Sequence, residues 1–355
     1  MNDRAVALLE QYDIEVVRTK KGRGGILCDT PKGALILKEY AGNEARLLLQ
    51  DGLLRHIREQ GQVRTDTLLP TKEGKLWVKD REGVCYILKT YYEGRECNIH
   101  DREECLLIMR LLAKLHNSME DYSWKPEEVL LEQEDGQGMP TGTVTAALSP
   151  LQEYEKHNRE LLSIRSYLYK KGQKQLFERR LQSVMDPYME QAKETIQGWK
   201  AYVQQLSLQE PEHTCFHGDY QYHNVIFYNG EWYVVNFEKC RPGSRMKDVY
   251  LLLRKLLEKS DWSSALGREL LEAYGQIRPL SAVDCIDLYY RLSYPEKFWK
   301  IANFYYNSRK AWIPERNMEK LEKLLEQEEA KQAFLKTVFT PAALREITAG
   351  AELSS

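Results

Sequence analysis

The sequence predicts an α+β fold in two lobes, a small N-lobe of residues 1–91 and a mainly helical C-lobe of residues 92–345. Two observations support this prediction. Before residue 91 the apolar residues alternate in short runs, as in strands, whereas after it they recur every three to four residues, as in helices. With 355 residues, 43% of them apolar, the chain is long enough for substantial cores. Residues 346–355 are expected to form a flexible tail.

The N-lobe pattern predicts a five-stranded sheet. The runs EVVRTK, GILCDT and GALILKEY are separated by glycine and proline turn residues, which predicts a three-strand meander. Residues 76–79 and 84–92 flank the turn sequence DREG and add a hairpin. Residues 43–60 have a helical period and follow the third strand.

The C-lobe pattern predicts helices over residues 103–119, 150–208 and 281–339. Residues 120–143 are acidic and contain glycine and proline, which favours a surface loop. His116 lies on the apolar stripe of its helix, so we expect a buried structural histidine. The many aromatic residues after position 288 are expected in the core, although they could equally form the wall of a substrate cleft.

Composition excludes several classes of partner. Lys and Arg number 51 and Asp and Glu 53, a net charge of -2, so we expect neither nucleic acid nor a membrane surface as partner. The seven cysteines form no C-x-x-C pair, which favours reduced thiols in the cytoplasm. No stretch of 18 apolar residues is present, and the N-terminus does not resemble a secretion signal.

Residues 217–238, HGDYQYHNVIFYNGEWYVVNFE, hold most of the candidate chemistry. Asn229-Gly230 lies between two runs of aromatic and β-branched residues, which predicts a two-residue hairpin turn. If Tyr228 pairs with Glu231 in that hairpin, the side chains of Asn224 and Asn236 are diagonal neighbours within roughly 8 Å. Two amides are therefore expected to meet at the open end of the hairpin.

Asp219 precedes Asn224 by five residues, so its carboxylate is expected over the same end of the hairpin. An Asp-x4-Asn spacing followed by a strand with a metal ligand is typical of phosphoryl transfer, in which the aspartate is the base and the later residues bind Mg²⁺. Position 236 should then be an aspartate, but it is an asparagine. An amide oxygen has no formal charge, so the predicted metal site is weakened.

The segments HGDYQYHN and NFE resemble the catalytic and metal-binding segments of aminoglycoside and choline phosphotransferase-like kinases. Within that group, YILKTYYEGREC, FEKC and DVYLLLRKLLEK are most similar to the CotS-type spore coat proteins. The likeness covers about residues 14–340. It implies a protein-kinase-like fold, ATP and Mg²⁺ as cofactors, and a nucleotide together with other spore coat proteins as partners.

The resemblance also implies roles for single residues. Lys38, on the third strand, is placed where such kinases hold the α- and β-phosphates. Glu44 either pairs with Lys38 or only stabilises the start of its helix. The backbone around Thr90 and Tyr92 corresponds to the hinge that holds adenine.

The predicted metal ligands are Asn224, Asn236 and Glu238, the last supplying the second acid of such kinases. Asp248 corresponds to an acid that braces the catalytic loop, although a carboxylate in the first helical turn is stabilising without that role.

The favoured hypothesis is a spore-coat-associated kinase-like protein that binds nucleotide, with phosphotransferase activity weakened or lost because of Asn236. It would be made in the cytoplasm of the mother cell and deposited on the spore coat. The alternative is an active ATP-dependent kinase of a small hydroxyl, sugar or aminoglycoside-like compound, with Asp219 as base. A metal hydrolase using His217, Asp219 and His223 is disfavoured, because His223 alternates away from Asn224 along a strand.

Overall fold

The computed structural model describes residues 3–122, 144, 147–206, 214–307 and 314–340. The chain forms two compact units, the first of residues 1–147 and 213–248, the second of residues 148–212 and 249–355. The lobe boundary near residue 92 stays a prediction, and the predicted tail lies outside the described residues. In the described ranges, no helix combines the length and the apolar character needed to cross a membrane.

The first unit contains the predicted N-terminal sheet. The strands up to residue 96 are β1 (Arg18–Gly22), β2 (Gly25–Thr30), β3 (Gly33–Glu39), β4 (Arg64–Thr65), β5 (Leu68–Leu69), β6 (Val78–Lys79), β7 (Cys85–Thr90) and β8 (Arg95–Glu96). The sheet has the order β1-β2-β3-β7-β5, and β6 also pairs with β7. It has six strands rather than the predicted five, because β5 has only two residues and gives no periodic signal.

The first unit contains the helices α1 (Asp3–Val6), α2 (Glu44–Gln60) and α3 (Arg102–Glu120). The two long helices, α2 and α3, each begin at a capping side chain. The Asn43 side chain caps α2 by accepting a bond from the Arg46 N–H, and Gly61 ends the helix at a φ of 68°. Apolar residues of the N-terminal segment, among them Leu8 and Tyr12, pack with residues of the sheet in one core.

The predicted hairpin is present with the predicted register. It consists of β10 (Val225–Tyr228) and β11 (Glu231–Val234), with Tyr228 opposite Glu231. β11 also pairs in parallel with β4, and β10 pairs with β8. The flanking strands β9 (Cys215–Phe216) and β12 (Arg241–Pro242) pair with each other. The hairpin is thus fixed on both sides, and its open end has a defined position.

The second unit is helical, as predicted for residues 150–208 and 281–339. Its helices are α4 (Pro150–Lys170), α5 (Leu176–Leu206), α6 (Met246–Leu257), which starts in the first unit, α7 (Ser264–Gly275), α8 (Ala282–Ser293), α9 (Glu296–Asn307), α10 (Pro314–Glu326) and α11 (Glu328–Val338). The aromatic residues after position 288 divide: Tyr294, Phe298 and Phe334 are buried in the core, whereas Tyr289 and Phe304 are exposed. Tyr154 stacks on Tyr294 at a centroid distance of 3.8 Å. Most of the predicted loop over residues 120–143 lies outside the described residues.

The hairpin turn gives a first prediction, the effect of Gly230→Ala. Asn229 and Gly230 have φ values of 49° and 82°, the left-handed pair that a two-residue turn requires. A Cβ at Gly230 would have nothing within 4 Å, so the cost comes from the backbone alone. We expect the free energy of unfolding to fall by about 1–2 kcal/mol, measured by urea denaturation.

Gly172→Ala is the matched control, because that glycine also has open space and no left-handed φ. Its effect should stay within about 0.5 kcal/mol. Equal losses for the two variants would mean that the conformation of the turn does not set the stability of the hairpin.

Candidate active site

The loop of residues 217–224, here called the HGD loop, is fixed by the carboxylate of Asp248. Asp248 Oδ2 accepts a hydrogen bond from the backbone N–H of His217 (2.6 Å), and Oδ1 accepts one from the N–H of Gly218 (2.9 Å). Asp248 is fully buried, so water does not compete for either bond. The carboxylate therefore braces the loop, the first of the two roles considered for it.

Further contacts hold the same loop. Gly218 has a φ of 80°, and a Cβ there would overlap the backbone of Lys239, so only glycine fits without strain. The Tyr220 hydroxyl donates to the carbonyl of Ile108 in α3 (2.8 Å). His116, also in α3, is buried, and its Nε2 lies 3.4 Å from an oxygen of Asp248. His116 is therefore part of the scaffold, as predicted.

His217 orients the loop through both ring nitrogens. Its Nδ1 accepts a hydrogen bond from the backbone N–H of Asp219 (3.1 Å), which places the proton on Nε2. Nε2 then donates to the carbonyl of Val235 (3.1 Å). Because both nitrogens are used, His217 has no lone pair for a metal in this arrangement, which removes a ligand from the hydrolase alternative.

Asp219 presents an ionised carboxylate at the open end of the hairpin. Its Oδ2 accepts a bond from Lys239 Nζ (2.9 Å), and its Oδ1 accepts one from Gln221 Nε2 (2.7 Å). Burial alone would raise the pKa of this carboxyl, but Lys239 and Gln221 together lower it below its usual range. Lys239 is largely exposed and can move aside, so a hydroxyl group could reach the carboxylate.

The predicted meeting of Asn224 and Asn236 is confirmed, and it is part of a longer chain of hydrogen bonds. Asn224 Nδ2 donates to the carbonyl of Asp219 (2.8 Å). Asn224 Oδ1 in turn accepts from Asn236 Nδ2 (2.8 Å), and Asn236 Oδ1 accepts from Lys89 Nζ (2.7 Å). Donors and acceptors alternate along the whole chain, so each amide has one orientation.

Lys89, in β7, was not among the predicted site residues. Its ammonium group lies among three oxygens: Asp66 Oδ2 at 2.8 Å, Asn236 Oδ1 at 2.7 Å and Glu238 Oε1 at 2.8 Å. The residue is only 3% exposed. Burial would lower the pKa of the lysine, but Asp66 and Glu238 raise it above its usual value, so the ammonium stays charged. Lys89 is a buried cation at the centre of the site.

Asp66 was also missed. It follows β4 and is almost fully buried. Besides Lys89, its Oδ2 accepts the backbone N–H of Asn236 (2.9 Å). Asn236 itself has a φ of 70° and a ψ of 58°, a left-handed conformation that asparagine adopts more readily than most residues. Asp66 thus fixes the backbone of residue 236, while Lys89 fixes its side chain.

Lys38 reaches the same carboxylate as Lys89. Lys38 Nζ lies 3.0 Å from Glu238 Oε1, and the lysine side chain is 29% exposed. Burial would raise the pKa of Glu238, but Lys89 and Lys38 together lower it to about 2. Arg46 Nη2 donates to the carbonyl of Glu238 (2.9 Å) and holds its backbone. Lys38 is therefore paired with Glu238, one of the predicted metal ligands, and its role at the phosphates stays a prediction.

The remaining predicted site residues have other hydrogen-bond partners. Glu44, in the first turn of α2, accepts a bond from Trp77 Nε1 (3.0 Å), whereas Lys38 pairs with Glu238. Thr90 Oγ1 accepts from the Thr67 N–H (2.9 Å). The roles of Glu44 and Thr90 at a nucleotide stay predictions.

The side chain of Tyr92, the second hinge candidate, contacts β4 and the hairpin. Its hydroxyl donates to the carbonyl of Thr65 (3.1 Å), and its ring stacks on that of Tyr233 at a centroid distance of 3.9 Å. Its contact with adenine also stays a prediction.

The three predicted metal ligands do not fit a divalent cation as they are arranged. Asn224 Oδ1 and Asn236 Oδ1 each accept a hydrogen bond, and Glu238 Oε1 accepts from two ammonium groups. The set has one formal negative charge, which Lys38 and Lys89 already neutralise. Within the described ranges, no group of three or more His, Cys, Asp or Glu side chains is placed to hold a metal ion.

Comparison with solved structures establishes the class of fold. The aminoglycoside phosphotransferase from Alicyclobacillus acidocaldarius subsp. acidocaldarius superposes with a TM-score of 0.75 at 18% identity, covering 96% of each chain. An amicoumacin kinase solved with AMP-PNP and Ca²⁺ superposes with a TM-score of 0.60 at 14% identity, also covering 96% of each chain. The predicted kinase-like fold is confirmed.

The sequence comparisons identify the family. The model of the phosphotransferase enzyme family matches residues 25–282, and the chain belongs to this family. The spore coat YutH model matches residues 245–338. Spore coat protein S of Bacillus subtilis (strain 168) is 23% identical over 337 residues, which cover 89% of this chain and 87% of that protein. The chain thus resembles spore coat proteins as well as phosphotransferases.

The brace at Asp248 gives a second prediction. Asp248→Asn keeps the shape but places an amide NH₂ against one of the two backbone N–H donors, which leaves that donor buried without an acceptor. We expect a loss of about 2–3 kcal/mol in the free energy of unfolding, measured by urea denaturation.

Asp13→Asn serves as its control, because Asp13 is exposed and the chemical change is the same. That variant should change stability by less than about 0.5 kcal/mol. If Asp248→Asn proved equally mild, the carboxylate would not be what fixes the HGD loop.

Proposed function

We propose that this protein is a spore-coat-associated, kinase-like protein that binds a nucleotide and whose phosphotransferase activity is weakened or lost. The observation that supports this most is the state of Asn236. Its side-chain oxygen accepts from Lys89 Nζ at 2.7 Å, and its side-chain nitrogen donates to Asn224. The residue expected to bind the metal is therefore engaged on both sides within the protein.

Nucleotide binding is supported by the family and by charge. The chain belongs to the phosphotransferase enzyme family, and a structural neighbour was solved with AMP-PNP. Lys38 has a partly exposed ammonium group beside Glu238, the position that the kinase resemblance assigns to the phosphates. The expected ligand is ATP or ADP.

Loss of activity follows from the role of the metal. In phosphoryl transfer Mg²⁺ neutralises charge on the transferring group, which is worth several kcal/mol. Each 1.36 kcal/mol that is missing costs a factor of about ten in rate. A site whose oxygens are held by Lys89 and Lys38 does not supply that stabilisation, so turnover should be slow or absent.

Association with the spore coat is supported by two sequence matches, one over the C-terminal region and one over most of the chain. The spore coat YutH model covers the C-terminal residues 245–338, and spore coat protein S aligns over 89% of the chain. On this basis the protein is made in the mother cell and joins the coat, with other coat proteins as partners.

The second candidate function is an active ATP-dependent kinase of a small hydroxyl compound. It is favoured by Asp219, whose ionised carboxylate is half-buried at the end of the hairpin and adjoins Asn224 through its backbone. In that case Glu238 would bind the metal after its lysine partners move away.

The direct test is Asn236→Asp, measured by titration calorimetry of ATP and by ATP turnover, with and without Mg²⁺. A carboxylate at this position faces Asn224 Oδ1, so two oxygens are placed for a cation where the wild type has a hydrogen bond. We expect Mg²⁺ to strengthen ATP binding about tenfold or more in the variant, equivalent to about 1.4 kcal/mol.

Two results would change this conclusion. Brisk ATP turnover by the wild type would establish the active-kinase alternative and show that Asn236 does not limit catalysis. If neither protein binds ATP, the nucleotide part of the proposal is wrong, and only the coat association remains.

A separate prediction concerns Lys38→Met. The substitution removes the partly exposed ammonium but keeps the length of the aliphatic part of the side chain. Glu238 keeps Lys89 as its partner. We expect the rise in Tm that ATP causes in the wild type to disappear. Lys32→Met, at an exposed turn lysine, should keep the full rise. An unchanged rise in Lys38→Met would show that Lys38 does not bind phosphate.

A further inference from the structure

Four charged side chains form a closed cluster in the site. Two ammonium groups, of Lys38 and Lys89, and two carboxylates, of Asp66 and Glu238, are joined by ion pairs of 2.8–3.0 Å. Two positive and two negative charges cancel, so the cluster is neutral with no added metal. A divalent ion entering it would meet two ammonium groups rather than a net negative charge.

Lys89 cannot easily leave this cluster. It lies on β7, which has β3 on one side and β5 on the other, so its backbone is fixed inside the sheet. Its side chain is only 4% exposed, and Nζ has three oxygen partners within 2.8 Å, one for each of its protons. Withdrawing the ammonium would leave the buried carboxylate of Asp66 without its ion pair and Glu238 with Lys38 alone, which is strongly unfavourable.

The amide at position 236 matches this cation. An ammonium can only donate, so the group facing Lys89 must be an oxygen. The group facing Asn224 Oδ1 must then be a donor, and the Nδ2 of Asn236 supplies it. A carboxylate at this position would place two acceptors against each other unless a cation lay between them. Asparagine at position 236 and lysine at position 89 therefore complement each other.

We propose that Lys89 is a resident cation of the site, standing in place of a divalent metal on Asn236 and Glu238, so that nucleotide binds here without metal. The ligand class is a nucleoside polyphosphate free of divalent cation. The partly exposed ammonium of Lys38 meets the phosphates, while Lys89 neutralises the oxygens behind it. The nucleotide part of this inference rests on the proposed function, whereas the metal part does not.

The first experiment tests the cation position by thermal unfolding with Ca²⁺ or EDTA. Ca²⁺ is chosen because it accepts irregular oxygen ligands at longer distances than Mg²⁺ does. In the wild type, Ca²⁺ should change Tm by less than about 1 °C, since the position is already filled. In Lys89→Ala, Tm should fall by more than about 5 °C in EDTA, and Ca²⁺ should restore at least about 3 °C of it.

Two control variants test whether Ca²⁺ acts by filling the space that the Lys89 ammonium leaves. Lys89→Met also removes the ammonium, but methionine fills most of the volume of the lysine side chain and leaves no room for an ion. We therefore expect a lower Tm that Ca²⁺ does not restore. Lys171→Ala breaks another ion pair to a buried carboxylate, with Glu178 at 2.7 Å, outside the site. It should also lose stability without recovery. Recovery in either control, or a Ca²⁺ effect on the wild type as large as on Lys89→Ala, would overturn the inference.

The second experiment measures ADP binding to the wild type by titration calorimetry in EDTA and in Mg²⁺. We expect the two dissociation constants to agree within about threefold, because no metal is needed to complete the site. Binding that occurs only with Mg²⁺ would overturn the role of Lys89 and leave nucleotide binding intact. If ADP binds in neither buffer, the proposed function fails, and the Ca²⁺ measurements still decide the metal part.

The wild-type measurements keep the inference testable should Lys89→Ala fail to fold. A rise in wild-type Tm of about 3 °C or more with Ca²⁺ would by itself show that the site admits a divalent ion, contrary to the inference.

Discussion

The ion pairs of Lys89 are the interaction on which the candidate site depends. One ammonium joins three segments far apart in sequence: Asp66 after β4, Lys89 itself in β7, and residues 236–238 after the hairpin. A buried cation is costly unless it is fully paired, and here each of its three protons has an oxygen. The same requirement fixes the positions of the oxygens, because moving any one of them would leave a buried ammonium proton without an acceptor.

From Lys89 the hydrogen bonds continue through the two amides, of Asn236 and Asn224, to Asp219. Since each amide has one donor and one acceptor side, the direction of the first bond determines the direction of the next. The chain ends at the backbone of Asp219, whose loop is held independently by Asp248. The position of the carboxylate of Asp219 is thus determined by two hydrogen-bond systems, one from the sheet and one from α6.

The parts of the site that were predicted from sequence are those with local signals. An Asn-Gly turn between apolar runs fixes the hairpin and hence the meeting of Asn224 and Asn236, twelve residues apart. Lys38 and Asp219 were found through segments that resemble a family. Lys89 and Asp66 were missed because their partners at position 236 lie 147 and 170 residues away, and no local pattern encodes such a pair. The one available signal was a lysine inside the apolar strand CYILKT, where a charge needs a partner.

A lysine differs from a metal ion in ways that bear on function. The stabilisation that a bound metal gives a fold depends on the ratio of its concentration to its dissociation constant, whereas an ammonium on the chain is always present. The site therefore keeps its geometry whatever the supply of divalent metal, which suits a binding or structural role.

The attachment of this ammonium to the chain also limits catalysis. A metal ion can bridge the β- and γ-phosphates and neutralise charge as it develops, but the Lys89 ammonium is buried behind Asn236 and Glu238 and has no proton left to give to a phosphate. The arrangement thus supports the proposal that the protein holds a nucleotide without transferring its phosphate.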